Sequence, residues 1–90
     1  KIKINNHIFR IDLLFFNINL NSYIVIELKT REFKPQDIGQ LELYVNYIDN
    51  NIKLSNHNKT IGILIVKKKD KYVIEYVTNK EVFITTYKLV

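Results

Sequence analysis

Residues 23–45 read YIVIELKTREFKPQDIGQLELYV, and the two halves of this stretch follow different periods. From Tyr23 to Leu28 the residues are apolar on both faces except at Glu27, and further charges come only at the far end, in Lys29 and Arg31. A strand over residues 23–31, buried on both faces, has that pattern. The second half opens on Pro35, whose missing N–H costs nothing in the first turn of a helix, and Asp37 follows where the helix dipole favours an acid. Ile38, Leu41, Val45, Ile48 and Ile52 recur at three- and four-residue spacing, which predicts a helix from Pro35 to about Asn51 with one apolar stripe. Gln40, Tyr44 and Tyr47 flank that stripe. Gly39 within the helix costs ~1 kcal/mol relative to alanine, which suggests close approach of the helix to a strand or a ligand.

Outward from this stretch, KIKI at residues 1–4 alternates and Asn5-Asn6 offers a turn into the next strand. Residues 7–16, HIFRIDLLFF, read as one strand whose second half is apolar on both faces, as in a central buried strand. NINLNS at 17–22 forms a turn, so this strand and the one at 23–31 are expected to be antiparallel neighbours. After a polar loop at 54–60, IGILIV (61–66) and YVIEYV (72–77) read as strands separated by the charged tip KKKDK, and a last strand or short helix ends at residues 87–90. The expected fold class is α/β, a mixed sheet of α+β character covered by one main helix.

The whole chain is 90 residues, 47% hydrophobic and 26% charged, which predicts a single domain over residues 1–90 with a core of its own rather than a disordered segment. Cysteine is absent, so disulfides, thiolate metal sites and cysteine nucleophiles are excluded, and any metal must be held by oxygen or imidazole. The net charge of +5 suits a nucleic-acid partner. It carries little weight alone, because 15 Ile, 11 Asn and 12 Lys are what an AT-rich coding sequence produces. No apolar run approaches the ~20 residues of a membrane span and no signal-peptide pattern precedes Asp12, so no membrane partner and a cytoplasmic location are expected. The first residue is Lys1 and methionine is absent, from which the chain is expected to be part of something longer.

Two carboxylates stand where a core should be. Asp12 lies between Ile11 and the run Leu13-Leu14-Phe15-Phe16, and Glu27 lies within Ile24-Val25-Ile26 and Leu28. Burying a carboxylate costs several kcal/mol unless it is paired. On a period-two strand Val25, Glu27, Lys29 and Arg31 share a face, and the turn at 17–22 brings Asp12 roughly opposite Glu27. Two such carboxylates repel, and a divalent cation is the usual way of keeping both ionised. The structural alternative is a set of ion pairs at a sheet end, Asp12 with Lys29 and Glu27 with Arg31 or Arg10.

The combined spacing, Asp12, then Glu27-x-Lys29, then Gln40 on the helix, resembles the PD-(D/E)XK nuclease superfamily, and within it the YhcG-like C-terminal nuclease domain. The resemblance covers nearly all 90 residues and rests on FRIDLLFF, YIVIELKTREFKP, DIGQLELYV, IGILIVKKK and VIEYV taken together. It implies a restriction-endonuclease-like core and a magnesium- or manganese-dependent endodeoxyribonuclease, a hydrolase acting on DNA. The resemblance implies metal ligands at Asp12, Glu27 and the Leu28 backbone carbonyl, with Lys29 as catalytic lysine and Gln40 as the helical glutamine of several branches. Arg31 and Lys34, just past the strand, would anchor phosphates. Nucleases of this shape often pair, so a homodimer is a further expectation. The chain departs from the family pattern in one respect: many members add an acid from a helix before the first strand, and residues 1–11 contain no Asp or Glu. The chain is therefore expected to be the C-terminal part of a longer protein whose preceding helix is missing here. The competing function is a catalytically inactive nuclease-like module for nucleic-acid binding or oligomerisation.

Other residues carry bland readings beside functional ones. His7 and His57 read as structural. Lys67, Lys68, Lys69 and Lys71 read as a solvated hairpin tip more readily than as a phosphate track. Glu75 reads as an exposed edge position, and Tyr44 and Tyr47 as core flanks rather than base-stacking groups.

Overall fold

The computed structural model describes residues 2–4, 7–67 and 82–86. A short antiparallel hairpin, β1 (Ile2–Ile4) with β2 (His7–Phe9), forms a two-stranded sheet of its own. The main sheet has the order β3-β4-β5-β6, made of Leu13–Asn17, Ser22–Leu28, Ile61–Val66 and Val82–Thr86. The helix among the described residues, α1, runs from Pro35 to Asn51. β3 pairs antiparallel with β4, whereas β4–β5 and β5–β6 are parallel. The expected mixed sheet with one main helix is what the chain forms.

Pairing type follows from the connections. β3 and β4 are joined by a tight turn in which Leu20 N–H donates to Asn17 Oδ1 (2.9 Å), and Asn21 takes a left-handed φ of 51°, which asparagine tolerates. Parallel strands need a crossover, and α1 supplies it between β4 and β5. Along β5 every second residue is buried: Gly62, Leu64 and Val66. Leu41, Val45 and Ile48 of α1 join Val25, Phe33, Tyr44, Leu64 and Val66 in the core. The predicted helix limits and the middle of its apolar stripe hold. Ile52, however, is the C-terminal cap and is exposed, because the helix has ended before its side chain can turn inward.

Four expectations are corrected. The strand expected over residues 7–16 is two strands, because the chain leaves the ladder at Arg10–Asp12, where Asp12 hydrogen-bonds the end of β4 instead. The apolar run of β3 is not central but an edge, with Leu13, Leu14, Phe15 and Phe16 all 39 to 50% exposed. β4 ends at Leu28 rather than at Arg31, although Lys29 N–H to Ile65 O (2.9 Å) and Lys67 N–H to Arg31 O (3.1 Å) keep the following segment tied to β5. Finally, of the strand or ligand suggested for Gly39, no described strand takes that place, and among the described residues it is Gly62 that lies in close contact with another element. A Cβ at Gly62 would stand 2.8 Å from Val45 Cγ2, while one at Gly39 would meet nothing within 4 Å. The strand expected at 72–77, the Asn5-Asn6 turn and the terminal element at 87–90 lie outside the described residues, and the described neighbour of β5 opposite β4 is the parallel β6.

Candidate active site

Sheet register decides where the charged residues point. Residues paired across neighbouring strands share a face, and Glu27 pairs with Leu64, which is buried beneath α1. Glu27 is therefore turned under the helix and is only 3% exposed. The register of β3 on β4 sets Leu13 against Ile26, so Asp12 arrives beside the end of β4. There Asp12 N–H donates to Glu27 Oε1 (3.1 Å), and Leu28 N–H donates to Asp12 Oδ2 (3.0 Å). One backbone N–H thus holds one oxygen of each carboxylate, and the two acids are fixed side by side.

Burial pushes the Glu27 carboxyl up to about 7. The hydrogen bond from Asp12 N–H opposes this, the Asp12 charge adds to it, and Lys29 opposes it. The two acids are close enough that ionising both is costly unless a cation lies between them. Lys29 follows on the same face and donates from Nζ to Gln40 Oε1 of α1 (3.0 Å). The structure brings Asp12, Glu27, Lys29 and Gln40 together at the carboxyl end of β4.

Neither of the structural ion-pair alternatives is formed. Among the described residues the ion pair is Arg31 with Asp37, at 2.7 Å. Arg31 Nη1 and Nη2 bind the two oxygens of Asp37 at 2.9 and 2.7 Å, and Lys34 N–H gives Asp37 Oδ2 a third bond of 2.9 Å. Burial works to raise Asp37, but the Arg31 hydrogen bonds, the Lys34 N–H and the nearby cations outweigh it and hold the carboxyl below its ordinary value. Arg31 is thereby fixed against the helix start, and Lys34 caps α1 on the exposed surface.

Two residues near the site carry more than their sequence reading suggested. Asp37 looked like a dipole-favoured acid and is in fact the buried buttress of Arg31. Its spacing of three from the cap residue Lys34 was the available signal. Tyr44, read as a core flank, is buried, and its hydroxyl is pushed up by burial and then by the charges of Glu27 and Asp12, with hydrogen bonds from the Arg10 backbone and Gln40 opposing. It lies one helical turn from Gln40, the spacing that puts two side chains on one face. His57, by contrast, packs on Phe16 and Tyr23 at the opposite end of β4, with ring centroids 4.7 and 5.7 Å apart. Glu75 and Lys68, Lys69 and Lys71 lie outside the described residues.

The donor set fits a hard divalent cation of the magnesium or manganese type. Two adjacent carboxylates, with the Leu28 carbonyl next in sequence, offer oxygen donors, and no sulfur exists in the chain. Among the described residues no third His, Cys, Asp or Glu joins the pair. Beside these acids a cleft of about 470 Å³ opens between Lys29, Arg31, Gln36, Gly39 and Gln40. Among the described residues, no helix is long and apolar enough to cross a membrane.

The model of the family described as the YhcG PDDEXK nuclease domain matches residues 1–90. Among curated proteins, one from Escherichia coli strain K12 named "Putative nuclease YhcG" is 33% identical over 69 residues, which is 77% of this chain and 18% of that protein. The matched segment is thus a small part of the relative's length. No solved structure is significantly similar to the chain.

Proposed function

We propose that this chain, which belongs to the YhcG PDDEXK nuclease domain family, hydrolyses phosphodiester bonds in DNA, with Asp12, Glu27 and the Leu28 carbonyl holding magnesium or manganese. The observation that carries this reading is the fixed pair of acids with Lys29 and Gln40 beside it at one end of β4. The four-stranded mixed sheet with one helix is consistent with a restriction-endonuclease-like core.

A divalent cation bound there supplies charge neutralisation on the phosphate and a lowered pKa for a nearby water. The chain's residues do the rest. The backbone N–H groups of Asp12 and Leu28 hold the carboxylates in place, so no reorganisation is needed when the phosphate arrives. Lys29 is held by Gln40 beside the acids, where its ammonium orients the attacking water and offsets negative charge on the oxygens of the pentacoordinate phosphorane. The Gln40 amide gives one N–H to the Tyr44 hydroxyl and has a second to offer the water or a phosphate oxygen.

The chain incubated with plasmid DNA and magnesium or manganese is expected to cut it. Asp12→Ala and Lys29→Ala are expected to reduce the rate by at least about 100-fold while keeping the circular-dichroism spectrum of the folded wild type. Wild-type rates in those variants overturn the assignment, and an RNA oligonucleotide run in parallel separates the two substrates. A second reading, a nuclease-shaped module that binds without cutting, draws on the absence of a third acidic ligand among the described residues. It predicts salt-sensitive binding and no cleavage with either metal.

A further inference from the structure

Nothing among the described residues requires glycine at position 39. It stands in the second turn of a 17-residue helix, where glycine costs ~1 kcal/mol relative to alanine. Its φ is not positive, so its conformation is open to any residue. Among the described residues a Cβ there would meet nothing within 4 Å, so none of their strands or side chains needs the space. The chain's other glycine shows the contrast, since Gly62 is crowded by Val45 and Leu41. A cost with no partner among the described residues is what a bound ligand in that space would account for.

The place where Gly39 opens is chemically specific. It lines the cleft of about 470 Å³ with Lys29, Arg31, Gln36, Gln40, Leu43 and Asp37, the last already neutralised by Arg31, and the volume is within the range of about 300–1,000 Å³ common for ligand sites. Arg31 is presented there in a fixed orientation. Three of its five N–H donors are taken, two by Asp37 and one by the Glu32 carbonyl. Among the described residues the other two have no acceptor, on a side chain 39% exposed and already ordered. An ordered guanidinium with spare donors beside a bare stretch of helix suits a phosphodiester, whose oxygens it matches in geometry.

We propose that this cleft seats the sugar–phosphate backbone of the DNA strand flanking the cut bond, with Arg31 and Gln36 as its polar contacts and Gly39 as the gap that lets it lie against α1. The proposal rests on the nuclease reading for its substrate, but it concerns binding and is tested by binding.

The affinity of the chain for a labelled DNA oligonucleotide is measured by fluorescence anisotropy in calcium, which suppresses cutting, for wild type, Gly39→Leu, Gly39→Ala and Asn46→Leu. Asn46 is exposed on α1 outside the cleft and serves as the control. Gly39→Leu is expected to raise Kd at least about tenfold, equivalent to ~1.4 kcal/mol. Gly39→Ala is expected to raise Tm through better helix propensity and still weaken binding, by less than leucine does. Asn46→Leu is expected to bind as wild type. Wild-type affinity in both Gly39 variants overturns the proposal, as does an equal loss in Asn46→Leu or no binding by the wild type. Selective loss in the Gly39 variants, from a wild type that binds and never cuts, supports the cleft and refutes the hydrolytic reading alone.

Discussion

β3 and β5 lie on either side of β4 and both read as apolar runs, LLFFN and IGILIV, yet they end in opposite environments. In β5 the helix-facing residues Gly62, Leu64 and Val66 are buried under α1. In β3 the run from Leu13 to Phe16 stays 39 to 50% exposed at the edge of the sheet. The difference comes from connections, not composition. The link from β4 to β5 must cross over because the strands are parallel, and the crossing helix covers what it passes. The link from β4 to β3 is a tight turn and covers nothing. An apolar run therefore reports what a strand is able to bury, not where it sits.

This contrast is broken or sharpened by four substitutions, each read by thermal melting. Leu64→Ala removes a fully buried side chain beneath the helix and is expected to cost about 3 kcal/mol. Gly62→Ala drives a methyl into Val45 and Leu41 and is expected to cost about 2 kcal/mol; a neutral result would mean that α1 is not seated on β5. Asp37→Asn loosens the start of that helix from the end of β4 and is expected to cost about 1.5 kcal/mol at neutral pH. Because the folded-state Asp37 is held below its ordinary value, its contribution is present above about pH 4 and is lost as pH falls through the lower value. Melting curves of Asp37→Asn and wild type should therefore converge in acid. Phe15→Ala, on the uncovered edge, is expected to cost less than about 1 kcal/mol, and a loss matching Leu64→Ala would show that β3 is covered in solution.

The sequence carried the parts of this molecule that depend on local period and spacing. Pro35 and the three- and four-residue stripe delimit α1, and the turn at 17–22 sets the antiparallel register that brings Asp12 to Glu27. What it did not carry depends on which element lies above which. HIFRIDLLFF is continuous in hydrophobicity, and only the hydrogen bonds of Asp12 to the end of β4 divide it into β2 and β3. A helix glycine and a strand glycine look alike in a sequence, and only the packing shows which of Gly39 and Gly62 is crowded. Tyr44 became prominent for the same reason, since it acts through Arg10, Asp12 and Glu27, distant in the chain, whereas Asp37 acts through the nearby Arg31 and Lys34.

The central claim is that Asp12 and Glu27 are held together to bind a divalent cation. Burial and the Asp12 charge raise Glu27 to about 7, so the metal-free protein loses stability as pH climbs from about 4.5 through 7 and the buried pair becomes fully charged. Glu27→Gln relieves that cost and removes a ligand. Melting temperatures at pH 8, with and without manganese, are therefore expected to cross. Without metal Glu27→Gln melts higher than wild type, and with manganese only the wild type gains, by several degrees. An equal gain in both proteins, or no gain in the wild type, would contradict the account.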